Sequence, residues 1–189
     1  MIIILSGIDK VGKTTLARQI SKETGLPYVK FNPPKSLKVI DPLLWSRDVV
    51  IFHRTLLEYF EKLVLSREKV GVIFDRFYPD EIVYSKIFRG LELKDIYRDI
   101  DERFAKLNTI LLYLLHPDFI ELKRRWETET KVSFEKTRLL IHEFEQFYQF
   151  TSLKKFRISG KTPLESFRAA KSVIDNSSPR QLKLNEAGN

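Results

Sequence analysis

The sequence predicts a three-layer α/β fold, with about five parallel strands and helices on both faces of the sheet. Three observations carry this. The chain opens on a short apolar run, Ile2–Leu5, that leads straight into a glycine-flanked turn and then a helical pattern. Further apolar runs, bounded by Gly, Pro, Asn or Asp, alternate with helical periodicity along the rest of the chain. These runs are continuous rather than polar–apolar alternating, as expected of strands covered on both faces.

Taken in order, Ile2–Leu5 is the first strand and Thr14–Thr24 the helix after the turn, stopped by Gly25-Leu26-Pro27. Tyr28–Phe31 is the second strand, closed by Asn32-Pro33-Pro34. A long helix runs from Pro42 to about Arg67, with Ile51, Leu56, Leu57, Phe60 and Val64 on its apolar positions. Val70–Phe74 is the third strand and ends at Asp75-Arg76. Helices follow over Asp80–Phe88, broken by Gly90, and over Leu93–Lys106. Asn108–Leu115 is the fourth strand, stopped by His116-Pro117. Asp118–Trp126 and Phe134–Lys155 read as helices around the polar segment Glu127–Ser133. Phe156–Ser159 is a short fifth strand and Pro163–Ile174 the last helix. This makes one domain, residues 1–175, followed by a polar tail, 176–189.

Composition narrows the function classes. The chain has 189 residues, 43% hydrophobic and 31% charged, enough for one sizeable core. It has no cysteine, which excludes disulfides and thiolate zinc sites. The longest apolar runs, Ile2–Leu5 and Thr109–Leu115, are too short to span a bilayer. Met1 runs directly into a strand without the basic start of a signal peptide, so a cytoplasmic location is expected. The net charge of +8 suits either anionic small molecules or a polynucleotide partner. Basic and acidic residues are interleaved, as in Glu121, Lys123-Arg124-Arg125 and Glu127, which favours the first.

The opening turn carries the clearest chemistry. Gly7-Ile8-Asp9-Lys10-Val11-Gly12-Lys13-Thr14-Thr15 has the spacing G-x-x-x-x-G-K-T between a strand and a helix. Gly7 and Gly12 let the backbone wrap phosphates closely. The loop N–H groups converge on the anion, and the helix presents its positive end. Lys13 suits the β- and γ-phosphates of ATP, and the Thr14 hydroxyl suits Mg²⁺. Thr15 extends the same turn. Ligands of open parallel sheets bind beyond the carboxyl ends of the strands. Asp75-Arg76 falls there: Asp75 as a metal partner or a helix cap, and Arg76 as a planar fork for phosphate or a surface ion pair.

With these residues in view, the chain resembles the thymidylate kinases, within the P-loop nucleoside and nucleotide kinases. The family carries G-x-D/E-x-x-G-K-S/T-T, matched by residues 7–15 with its acid at Asp9; some members have Arg where this chain has Lys10. Asp75-Arg76-Phe77 is similar to the family's D-R-Y/F, and Tyr84 with Arg89-Gly90-Leu91 to its A-Y-Q…R-G-L. Asp80-Glu81 and Ser85 stand where the family has a serine pair and a glutamine. Leu112-Tyr113-Leu114 and Pro117, then Lys123-Arg124-Arg125, resemble a strand and the lid arm after it. Leu115 and His116 replace the expected strand-end Asp. Ser159 to Glu165 resembles the loop that cups adenine.

The resemblance implies a P-loop NTPase fold with a small lid at about 124–133, spanning residues 2–174. It implies an ATP- and Mg²⁺-dependent nucleoside monophosphate kinase that converts dTMP to dTDP. Lys13, Asp9, Arg76, Lys10, Arg124 and Arg125 would be catalytic, with Lys131 on the lid. Gly7, Gly12, Lys13, Thr14, Thr15 and Lys161 would hold ATP. Asp9, Phe52, Arg54, Asp75, Arg76, Tyr84 and Arg89 would bind the acceptor, and Thr14 and Asp75 the metal. In the base pocket, Trp45 and Arg47 serve as well as Phe52 and Arg54. Arg124 and Arg125 fit a lid or a solvated helix face. A homodimer is also implied, to which aromatics at 52, 59, 60 and 77 are candidates to contribute. His53, His116 and His142 share no metal-ligand spacing, and Phe144, Phe147, Tyr148 and Phe150 read as core. Three other functions are open: a deoxynucleoside kinase, a kinase acting on nucleotides within DNA or RNA, and a nucleotide-binding switch without transfer activity.

Overall fold

The computed structural model describes residues 1–31, 41–68, 71–115, 134–160 and 162–177. The predicted helix 118–126, the lid with Arg124, Arg125 and Lys131, and Lys161 lie outside them, as do Val70, His116 and Pro117.

The described elements are β1 (Ile2–Ser6), α1 (Lys13–Thr24), β2 (Tyr28–Lys30), α2 (Pro42–Leu65), β3 (Val72–Asp75), α3 (Tyr78–Arg89), α4 (Lys94–Lys106), β4 (Thr109–Leu114), α5 (Phe134–Phe150), β5 (Lys154–Ile158) and α6 (Pro163–Ser177). The strands form one parallel sheet in the order β2-β3-β1-β4-β5. The predicted parallel sheet of about five strands is therefore observed, with helices on both faces.

Alternation along the strands builds the two faces. Ile2 and Ile4 of β1, with Val72 and Phe74 of β3, pack against α2, α3, α4 and α5. Ile3 and Leu5, with Ile73, Ile110 and Leu112, pack against α1 and α6 through Leu16, Ala17, Ile20, Ala170 and Ile174. Every residue of β1, β3 and β4 is buried, which explains their unbroken apolar runs. Local signals set the ends. Asp41 caps α2 by accepting from Leu43 N at 2.8 Å, with Pro42 at the first helical position.

Some boundaries differ from expectation for reasons visible in the packing. The helix expected over Phe134–Lys155 ends at Phe150. Asp101 of α4 is buried and draws the chain out of the helix: it accepts from Thr151 Oγ1 and Ser152 N, both at 2.6 Å. Lys154 and Lys155, expected in that helix, instead pair with Ile110 and Leu111 in the edge strand. α3 begins at Tyr78 rather than Asp80, so Asp80 and Glu81 occupy its first turn. β3 extends to Asp75, and α6 runs on to Ser177, past the expected domain limit. Phe60 and Phe77, considered for an intersubunit face, are 7% and 1% exposed and belong to the core. Phe52 and Tyr59 are exposed on α2. No helix among the described residues is long and apolar enough to cross a membrane.

Candidate phosphate-binding cleft

The loop between β1 and α1 sits at the carboxyl end of the sheet, where β1 is flanked by β3 and β4. Gly7 has φ 136°, and a Cβ there would stand 2.7 Å from Leu114 O, so only glycine lets the loop lie against the end of β4. Gly12, at φ 94°, is the N-terminal cap residue of α1. The unsatisfied N–H groups of the first turn of α1 thus face the loop, which is the arrangement an anion needs.

A cleft of about 520 Å³ opens over this loop. Asp9, Lys10, Gly12, Lys13, Thr14 and Thr15 line it, with Asp75 and Arg76 on one side and Gly160, Thr162 and Ser166 on the other. The structure therefore brings together the loop, the third-strand end and the two residues that flank position 161. Gly160 is packed tightly here, for a Cβ would meet Ser166 N at 2.5 Å.

Thr14 Oγ1 donates to Asp75 Oδ2 at 2.5 Å, and Tyr28 Oη donates to the same oxygen at 3.1 Å. Lys30 Nζ reaches Thr14 Oγ1 at 3.3 Å. Asp75 Oδ1 is buried and makes no hydrogen bond. Asp75 does not cap the next helix, whose N-terminal cap position is Phe77. A hard oxygen pair with one buried, uncommitted carboxylate oxygen fits Mg²⁺, which takes one or two carboxylates and completes its shell with phosphates and water. Among the described residues, no group of three or more His, Cys, Asp or Glu could hold a metal alone.

Lys13 is 5% exposed and donates to Gly7 O at 2.5 Å and Ile8 O at 2.7 Å. Burial lowers its pKa, and Asp80 is the chief charge opposing that. Asp80, on the first turn of α3, is 4% exposed and accepts from Ser6 Oγ at 3.0 Å. Burial pushes its carboxyl up to about 6 against the pull of Lys13 and Arg76.

Arg76 follows β3 in the left-handed region, φ 69°, an uncommon state for a residue with a side chain. Its N–H still bonds Leu5 O at 3.3 Å, so the turn is locked to β1 while the guanidinium swings to Asp9. The guanidinium also lies over the Tyr84 ring, 5.9 Å from its centre. Burial of Tyr84 beside Asp9 raises its pKa well above the ordinary value. Lys10 adopts φ 68° on the cleft rim.

Other expected residues lie apart from this cleft. Arg89 pairs with Glu81 and donates to Ser85 Oγ at 2.6 Å. Glu81 and Ser85 thus anchor an arginine at two of the positions where the chain departs from the family pattern. Phe52 stacks on Phe31 with centroids 5.5 Å apart, while Arg54 is exposed. Trp45 is half-buried and Arg47 is exposed, paired with Asp48. His53, given no role from sequence, is fully buried, with Nδ1 2.8 Å from Tyr97 Oη and five aromatic rings around it. Sequence reading also passed over Tyr28, Ser6 and the placement of Asp80. Only Asp80 left a trace, as an acid five residues after the strand-end Asp.

No family model matches the chain. Over 155 residues it is 29% identical to a thymidylate kinase of Xylella fastidiosa, covering 74% of this chain and 73% of that protein. Among solved structures it is similar to the YorR protein of Bacillus subtilis, crystallised with phosphorylated GDP: TM-score 0.67, 22% identity, 93% of this chain and 96% of the other. It is also similar to the deoxyadenosine kinase of M. mycoides with bound dATP: TM-score 0.57, 18% identity, 93% and 100% coverage. The fold of this chain is that of the P-loop kinases, and its sequence relatives are thymidylate kinases.

Proposed function

We propose that the chain is an ATP- and Mg²⁺-dependent nucleoside monophosphate kinase that phosphorylates dTMP to dTDP. The observation that carries this is a single cleft joining the phosphate loop and the Thr14–Asp75 pair to the Asp9–Arg76 pair. One half suits a triphosphate donor and the other a phosphorylated acceptor. The sequence relatives named thymidylate kinase support the choice of acceptor.

Phosphoryl transfer asks the protein to position reactants and to stabilise charge. The N–H groups of residues 7–15 hold the donor phosphates. Lys13 leaves the Gly7 and Ile8 carbonyls to bridge the β- and γ-oxygens. Thr14 and Asp75 would hold Mg²⁺, which would supply neutralising positive charge to the transfer. Arg76 presents two N–H groups to the acceptor phosphate, and Asp9 orients that arginine and meets the sugar hydroxyl. Lys10 adds positive charge at the rim without a planar fork. Arg124, Arg125 and Lys131, which would exclude water from the phosphates, and Lys161, which would meet the adenine, lie outside the described residues and enter this reading from the family resemblance alone. Tyr84 and Arg89 support the acceptor side, and Phe52 and Arg54 border the base. An acceptor that is already a phosphate dianion needs no general base. A homodimer and a cytoplasmic location belong to this reading. Exposed apolar residues on α2, among them Leu44, Ile51, Tyr59 and Leu65, support the dimer.

An acceptor panel with ATP tests the reading: dTMP, dUMP, dCMP, dGMP, thymidine and a DNA oligonucleotide. Highest kcat/KM for dTMP is expected. Preference for thymidine or the oligonucleotide overturns it in favour of a hydroxyl acceptor, and nucleotide hydrolysis without transfer overturns it in favour of a switch.

A further inference from the structure

The proposed transfer gives Asp80 no task, yet a buried carboxylate is costly unless charge or hydrogen bonds meet it. Ser6 meets one of its oxygens at 3.0 Å. The other, Oδ1, is buried without a hydrogen bond and stands 4.0 Å from Lys13 Nζ. Both side chains of this pair are 5% exposed. Ser6 ends β1, Lys13 begins α1 and Asp80 lies in the first turn of α3. The carboxylate therefore sits behind the phosphate loop, between the strand that enters it and the helix that leaves it, and does not line the cleft.

An ammonium has three donors and no acceptor. Two donors of Lys13 are taken by Gly7 O and Ile8 O, carbonyls of the loop itself. A lysine held this way points into its own loop rather than toward an incoming anion. We propose that Asp80 is a positioning residue that holds Lys13 withdrawn on the loop carbonyls and opposes its transfer to bound phosphates, so that this carboxylate weakens binding of the donor nucleotide.

The inference rests on the loop being a nucleoside triphosphate site. Two anions then compete for one cation. When Lys13 moves to the phosphates, Asp80 loses its counter-ion and faces added negative charge, a like-charge arrangement that low-dielectric surroundings make costly. Among the described residues, the other charged groups that act on Asp80 are Arg76, after β3, and Asp9, in the loop. Arg76 is committed to Asp9 and does not replace Lys13. The same opposition acts on the diphosphate product and favours its release, a step that limits turnover in many enzymes.

The test is calorimetric titration of the full-length chain with ATP, ADP and AMP, Mg²⁺ present throughout, comparing wild type with Asp80→Asn and Asp80→Glu. Asp80→Asn is expected to lower the Kd for ATP about fivefold or more. ADP gains less, and AMP, which has neither β- nor γ-phosphate, is unchanged. Asp80→Glu, which keeps the charge, stays near wild type. Should Asp80→Asn fold poorly, Asp80→Ser removes the charge and keeps a hydroxyl, with the same result expected. Unchanged or weaker ATP binding in the uncharged variants overturns the proposal, as does an equal gain for AMP. Absence of ATP binding by wild type overturns the triphosphate reading itself, a result separate from any effect of position 80.

Discussion

Thr14 Oγ1 donates to Asp75 Oδ2 at 2.5 Å and so ties the first turn of α1 to the end of β3. These two oxygens start 61 positions apart in the chain and meet because β1 and β3 are hydrogen-bonded neighbours. Asp75→Asn keeps the size and the carbonyl acceptor but removes the charge. It is expected to raise the Mg²⁺ concentration for half-maximal rate and to lower kcat by about 10²-fold. Initial rates across a Mg²⁺ titration check this; an unaltered Mg²⁺ dependence contradicts the role assigned to the pair.

Lys13→Met is expected to lower turnover by at least about 10²-fold while the chain stays folded. The fold survives because Asp80, already shifted up to about 6 by burial, takes up a proton once its counter-ion is gone. Turnover and melting temperature measured on the same preparation test both halves. Near-normal turnover would sink the mechanism.

Arg76→Ala is expected to act on the acceptor side. The acceptor KM rises or kcat falls by about 10²-fold, while ATP affinity changes little, because the guanidinium lies beyond the donor half of the cleft. Arg76→Lys recovers little, since a single ammonium cannot reproduce the fork. An equal loss of ATP affinity argues against this division of labour.

His53 sets a pH dependence of stability. Burial lowers its pKa to about 3, so the folded chain keeps it neutral. Its contribution is fully present above the ordinary value of 6.5 and is lost as pH falls toward 3, by up to about 1.4 kcal/mol per pH unit. Asp80 works in the opposite sense: its carboxyl is raised from 3.8 to about 6, so its contribution is lost as pH rises through that window. The variant His53→Phe isolates the first effect. Urea denaturation at pH 4, 5 and 6 should show the variant gaining on wild type at each step down. A constant difference across that range removes His53 from the account.

Asp101 is expected to be a stability residue. It is 1% exposed and accepts from Tyr78 Oη at 2.7 Å as well as from Thr151 and Ser152. Asp101→Ala leaves those donors without it and should cost about 3 kcal/mol in denaturant unfolding. A loss below about 0.5 kcal/mol would show that the donors find water or other partners.

The strands and the phosphate loop were legible because their signals are local. Ile2–Leu5 announces a strand covered on both faces, and Gly7 and Gly12 mark a backbone that only glycine accommodates readily. The end of α5 was not legible. The apolar spacing of Phe147 and Phe150 continues to Leu153, just before Lys154 and Lys155, and the group that stops the helix, Asp101, comes from another helix. Phe60 and Phe77 looked like surface candidates for the same reason: whether an aromatic at helical spacing faces the core depends on what packs against it.

The sequence by itself determined the alternation of strands and helices, the parallel sheet and the place of the phosphate loop, because each follows from spacing within a few residues. Only the tertiary structure decided the partners of the charged groups. Arg76 and Asp9 lie 67 positions apart, Ser6 and Asp80 74, and their contact depends on β3 lying directly beside β1. No local pattern shows that Arg76 turns toward the loop or that Asp80 stands behind Lys13. Those facts come from strand order and burial, and burial is also what gives the charges their strength, since it removes the water that would screen them.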